Sequence, residues 1–245
     1  MSTKGCPERE HRSAQREGTP WTTAQSLLER FAVFGRYCEA ELDGRLWPLR
    51  SHLEIIERGV DAATAMQGDA DLVAVMMNPG ASRPLAELDA QGWAPALPDR
   101  TQYQLMKLAL EAQSMGWPLR HIRVINLSDL RTPKSAALFE ALATLRDDRH
   151  SLFSAARRAE LERALGATPV PVLRAWGLGR ALDGLARCAV VATAPHKVLG
   201  LTDNDLHYRH PLPQRADFQR EWLERMRGQL SLHAQGLKVG RARAS

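Results

Sequence analysis

"DLVAVMMNPGAS", residues 71–82, is an apolar run that ends in Asn78, Pro79 and Gly80 and then in small residues. An uninterrupted apolar stretch closed by turn-forming residues suits a strand buried on both faces, as in a parallel sheet covered by helices. Reading outward, "DRTQYQLMKLALEAQSMGW" (99–117) places Leu105, Leu108, Ala109, Ala112 and Met115 on one helical face, and Gly116 suits its C-terminal cap. "HIRVINL" (121–127) reads as a second strand. A helix opened by Thr132 with Pro133 in its first turn follows, then a helix over "SLFSAARRAELERALG" (151–166), bracketed by Ser151 and Gly166. "PVLRAW" (171–176), "CAVVAT" (188–193) and "KVLGL" (197–201) read as short strands, with "GLGRALDGLAR" (177–187) a helix between the first two. This alternation predicts an α/β fold, a three-layer sandwich around a central, mainly parallel sheet of about four to five strands.

The flanks are read differently. "WTTAQSLLERFAVFGRYCEAELDGRLWPL" (21–49) starts with helical spacing at Leu27, Leu28 and Phe31 and then alternates like a hairpin through Tyr37 and Leu42. Residues 1–20 are polar and offer little to bury, which predicts a flexible arm. "ADFQREWLERMRGQLSLHAQ" (216–235) is an amphipathic helix, leaving 236–245 as a basic tail and 21–235 as a single domain.

The 245 residues, 44% of them hydrophobic, can bury a sizeable core. Lys and Arg number 33 against 28 Asp and Glu, a net charge of +5 that suits a polyanionic partner. Cys6, Cys38 and Cys188 lie too far apart for CxxC metal ligation, and their odd number opposes a disulfide framework, so a reduced cytoplasm is expected. No secretory signal and no apolar stretch near the roughly 18 residues of a membrane span is found, so neither export nor membrane insertion is expected.

Open α/β sheets bind ligands beyond the carboxyl ends of their strands. Four ends carry polar residues: "NPGAS" (78–82), "NLSDLRT" (126–132), "WGLGR" (176–180) and "TDNDLHYRHPLP" (202–213). Taken singly each has an ordinary reading. Asn-Pro-Gly serves turns, an Asn caps a strand end, a His before Pro sits in a loop, and arginines near such ends are often solvated surface. His207 and His210 also make an H-x-x-H pair near Asp203 and Asp205, but no third ligand and no i,i+4 helical spacing support zinc, and no metal is expected. "GLGRAL" lacks the third glycine of a dinucleotide fingerprint, and neither a phosphate loop nor a Gly-x-Ser-x-Gly elbow is present.

In this order the four ends resemble the uracil-DNA glycosylase superfamily. That family carries a strand ending in a water-positioning Asp or Asn before Pro, a strand ending in a base-reading Asn, a strand ending in Trp-Gly, and a His-Pro-x-Pro loop. The resemblance covers about residues 70–215. "MNPG" is most similar to the mismatch-specific branch and "RHPLP" to the main uracil-excising branch, and the same order is similar to an uncharacterised bacterial family.

The resemblance implies a monofunctional DNA glycosylase, without cofactor, acting on DNA as a monomer. Asn78 would orient the attacking water and His210 would stabilise the departing base. Asn126 would read the base edge, although its amide can flip and so serves uracil or cytosine. Met77, Gly80, Ala81 and Ser82 would line the pocket. The last three are small where uracil-specific relatives carry an aromatic, which implies room for a 5-modified pyrimidine such as the enlarged cytosines of some phages. Arg83, Arg131, Arg180, Arg209 and Arg215 would contact phosphates. The family's wedge leucine after the second Pro is replaced here by Gln214 and Arg215, so Leu212, Gln214 or Arg215 would enter the duplex. No lysine lies within the motifs, so strand cleavage after base removal is not expected. Two rival readings are a noncatalytic nucleic-acid-binding module of the same fold and a nucleoside or nucleotide hydrolase.

Overall fold

Two long strands precede the run at Asp71. A short helix, α1 (Ala24–Arg30), is capped by Thr23, whose hydroxyl accepts from the Ser26 N–H. Phe31 then opens β1 (Phe31–Leu42), which turns through Asp43 and Gly44 into β2 (Arg45–Glu57). Both turn residues have positive φ, 48° and 74°, as a two-residue hairpin turn that matches strand twist requires. The computed structural model describes residues 23–244; the arm expected over 1–20 lies outside the described residues.

The remaining elements are α2 (Ala62–Gln67), β3 (Leu72–Met76), β4 (Trp93–Pro95), α3 (Arg100–Ser114), β5 (His121–Asn126) and α4 (Ser135–Thr144). They continue with α5 (Arg158–Leu165), β6 (Val172–Arg174), α6 (Asp183–Ala192), β7 (Val198–Leu199) and α7 (Ala216–Ala244). The strands form one seven-stranded sheet in the order β4-β1-β2-β5-β3-β6-β7. From β5 to β7 the neighbours run parallel, whereas β4, β1, β2 and β5 pair antiparallel. The protein is thus α/β, with a mixed sheet that is larger and less parallel than the sequence predicts. The difference comes from the hairpin, whose two long strands extend the parallel half sideways.

Strand β3 is buried along its whole length, as its continuous apolar run requires. Leu72, Ala74 and Met76 face a core cluster with Leu105 and Leu108 of α3 and Trp222, Met226 and Leu230 of α7. Val73 and Val75 face a second cluster with Leu138 of α4, Leu161 of α5 and Ala186 of α6.

Four sequence expectations are corrected. "CAVVAT" is not a strand but the second half of α6. Its β-branched pair suggested a strand, yet Ala186 and Ala189, three apart, are the buried stripe, and Val191 is 74% exposed. The helix expected over 151–166 is regular only over Arg158–Leu165, preceded by two 3-10 turns, Asp148–His150 and Ala155–Arg157. The helix expected from Thr132 begins at Ser135. At the other end, α7 continues through the stretch read as a tail, to Ala244.

One irregularity positions the site. Arg36 lies opposite His52 and Tyr37 opposite Arg50, so Ser51 is an unpaired extra residue, a β-bulge. Strict alternation would send residue 50 to the same face as His52 and Glu54. The bulge turns Arg50 instead to the face of Tyr37 and Leu53, and sends Leu49 into the second cluster.

Candidate functional site

Met76 and Asn126 are register partners at the carboxyl ends of β3 and β5. Beyond them is a cavity of about 120 Å³, on the α3 side of the sheet. Asn78, Gly80, Asn126 and His210 line it, together with Arg50 from β2 and Asp99 and Gln102 at the start of α3. Chain segments more than a hundred residues apart thus converge on one recess.

Asn78 is held by its amide nitrogen alone. Nδ2 donates to the carbonyls of Leu130 and Thr132, at 3.3 and 3.1 Å, and to the Thr132 hydroxyl at 2.9 Å. Three acceptors fix the orientation of the carboxamide and leave Oδ1 as the atom it can offer to a water. Thr132, expected to cap a helix, serves this asparagine.

Asn126 is fully buried, and neither Oδ1 nor Nδ2 has a hydrogen-bond partner. Buried amides are almost always paired, so an orphaned one that lines a cavity calls for a partner from within it, a water or a ligand. Arg50 is in the same condition: it is 1% exposed, and its Nε and Nη1 are buried without partners. Burial lowers its guanidinium pKa to about 10, against the raising influence of Tyr37, Asp99 and Asp129.

His210 accepts at Nδ1 from the Leu212 backbone N–H, at 3.1 Å. In the neutral ring the proton therefore sits on Nε2. Burial pushes this imidazole below its ordinary pKa, more than the Asp99 charge raises it, so the neutral Nε2–H donor is favoured.

Asp99 caps α3, accepting from the N–H groups of Thr101 and Gln102, while the Gln102 carbonyl oxygen accepts from the Asp99 N–H. This capping box leaves the Gln102 amide nitrogen as the end that it can turn to a ligand. Gly80, which lines the cavity, has φ +63°, and a Cβ built there meets nothing within 4 Å.

Not every residue expected in the pocket lines it. Met77 packs with the second core cluster, and its neighbour Met76 borders the cavity. Ala81 is exposed. Ser82 is buried, with Oγ 3.1 Å from the Tyr37 hydroxyl. Its carbonyl accepts from Arg131 Nε at 2.8 Å, and the Arg131 guanidinium lies over the Tyr37 ring, which ties that arginine to the fold.

Arg83 and Arg180 are exposed. Arg209 pairs with Asp203 at 3.0 Å and Arg215 with Asp217 at 2.6 Å, both at the surface. Leu212 is half-buried and Gln214 exposed. A second chamber of about 270 Å³ shares His210 as a wall and is bordered by Leu178, Phe218, Trp222, Arg209 and Arg225. His207 points elsewhere, 2.8 Å from Asp183 and 3.0 Å from the Asn204 amide. Among the described residues no group of three His, Cys, Asp or Glu side chains is placed to hold a metal.

No family model, curated protein or solved structure matches the chain. The chemistry of the site is read from its own groups. Arg50, Asp99, Thr101 and Gln102 are the polar members that sequence reasoning missed. Asp99 followed three residues later by Gln102 is a capping-box pattern legible in the sequence; nothing there signals the bulge that turns Arg50 inward. No helix among the described residues is long and apolar enough to cross a membrane.

Proposed function

We propose that this protein is a monofunctional DNA glycosylase, with a uracil-DNA-glycosylase-like three-layer fold, that flips a uracil or 5-modified pyrimidine into the Asn126 cavity and leaves an abasic site. The observation that carries the reading is the fully buried, unpaired amide of Asn126 in a cavity that also takes Asn78 and His210. A pyrimidine edge presents the donor and acceptor that such an amide lacks. The cavity's 120 Å³ is the space of about four waters at liquid density, which suits one six-membered ring with a small substituent. A glucosyl group exceeds it and has to leave past Gly80.

In the proposed reaction the sugar C1′–N1 bond breaks and its electron pair leaves on the base. A water held by Asn78 Oδ1 bonds through its oxygen to C1′, and one of its protons ends on the base. His210 Nε2–H donates to a base oxygen as negative charge develops there. The exposed Arg83, Arg180, Arg209 and Arg215 suit phosphate contacts, and the exposed Gln214 and Arg215 suit the place of the departed base better than the half-buried Leu212. Release of modified pyrimidines from phage genomes is a setting in which this activity serves defence.

Replacing Asn78 by Ala tests the reading, because the residue acts on the transition state and not on phosphates. Single-turnover release from oligonucleotides carrying uracil or 5-hydroxymethylated pyrimidines should fall by at least about 10², with DNA affinity changed less than about twofold. Wild-type rates in Asn78→Ala would remove the mechanism. DNA bound by the wild-type protein but left without abasic sites, read as alkali lability in the absence of metal, would favour the noncatalytic module.

A further inference from the structure

Arg50 is the most expensive residue in the site to leave alone. Its side chain makes no hydrogen bond or ion pair with any described residue, and Nε and Nη1 are out of reach of solvent. A guanidinium has five donors and no acceptor, and an unpaired charge taken out of water is among the least favourable states of a side chain. Asp99 and Asp129 act on it only through space. Ordinary packing does not explain its position either, because the Ser51 bulge is what turns it into the cavity, which the unpaired Asn126 amide also lines. Bulges that re-aim one side chain cluster next to ligand sites.

We infer that Arg50 is a specificity-determining residue that pairs with an anionic, carboxylate-class substituent on the pyrimidine held by Asn126. The inference rests on the cavity being the base pocket proposed above. A neutral keto or hydroxyl oxygen accepts a hydrogen bond but leaves the cation uncompensated. A carboxylate both accepts and neutralises, and it matches the planar fork of a guanidinium. Asn126 then reads the ring edge while Arg50 reads the substituent. Neutral pyrimidines of the same size leave a buried charge unpaired, which is how a site rejects a near-isostere.

Calorimetric binding of the free bases 5-carboxyuracil, 5-hydroxymethyluracil and uracil to the whole protein tests this without relying on catalysis. The expected result is at least tenfold tighter binding of the carboxylate in the wild type, of the order of one good charge-assisted pair. Arg50→Gln should abolish that preference and Arg50→Lys should keep part of it. Arg50→Met should fold and melt at a higher temperature than the wild type, since it removes an unpaired buried charge. Base release from oligonucleotides carrying 5-carboxylated and 5-hydroxymethylated pyrimidines is measured in parallel.

An Arg50-dependent preference for the carboxylate supports the inference whether or not any base is released. If no oligonucleotide loses a base, the glycosylase reading falls and the Arg50 assignment stands on binding alone. Equal binding of the carboxylated and hydroxymethylated bases, or an unchanged ratio in Arg50→Gln, overturns the assignment even if the enzyme is active.

Discussion

In the proposed reaction His210 acts as a neutral Nε2–H donor to the leaving base, and its surroundings favour that form. Nδ1 is occupied by the Leu212 N–H, and burial keeps the ring below its ordinary pKa. A depressed value means that the neutral form persists as pH falls through the usual imidazole range near about 6.5. Base release should therefore stay level through that range and decline only below it. His210→Gln should lower the rate by about 10² or more and remove that acid limb, as a pH series of single-turnover rates will show. A wild-type profile that falls with a midpoint above about 6.5 would contradict the assignment. Asn78, Asn126 and His210 were all legible as strand-end and loop residues, because a continuous apolar run followed by a polar residue marks where a buried strand meets solvent. Gly80, expected beside the pocket, does line the cavity, whereas Ala81 and Ser82, expected there too, do not. Which of three small neighbours faces inward depends on the turn they make, and sequence spacing does not encode it.

At the scale of elements, α3 presents its first turn to the cavity, and its cap is part of the site. Asp99 satisfies the N–H groups of Thr101 and Gln102 and, through the reciprocal bond, holds the Gln102 side chain in place. Asp99→Ala should cost about 0.5–2 kcal/mol, read as a lowered urea midpoint. It should also weaken base binding by releasing Gln102. An unchanged midpoint would mean that the cap is dispensable. The parallel strands β3, β5 and β6 were readable because burial on both faces writes itself as an apolar run. The α6 segment was not, because Val190 and Val191 carry a strand's composition on a helix whose buried stripe is alanine. The Ser51 bulge was not readable either: it changes the direction of every residue on one side of it without altering the composition of the strand.

Across the whole molecule, the sheet's second face holds a buried charge cluster. Glu54 lies 2.6 Å from His121 and 2.8 Å from Arg123, and burial, which raises its pKa, is outweighed by these partners, so its carboxyl stays low. Nearby, burial lowers His52 to about 4 from 6.5, against the raising effect of Glu54 and Glu160. The folded state then takes up a proton less readily than the unfolded chain. The stability this contributes, about 3 kcal/mol, is present above pH 6.5 and drains away as pH falls toward 4. Urea midpoints measured between those values should decline steeply, and His52→Phe should flatten the decline. An equally steep decline in His52→Phe would place the acid sensitivity elsewhere.

The same sheet ends in a two-residue strand, β7, beside α7. Gly200, just past that strand, donates its N–H to Gln229 Oε1 at 2.8 Å and accepts from Gln229 Nε2 at 2.9 Å. A helix side chain thus impersonates the peptide group of a neighbouring strand. At the far border β4 ends at Pro95, which has no N–H, and its outer carbonyls at Trp93 and Pro95 are taken by Asp89 and Leu85. Among the described residues both margins thus carry partners that hinder an incoming strand. Among the described residues little free ladder remains along which copies could stack, so an assembly of this protein is expected to be built from side-chain surfaces and not from strands added at an edge.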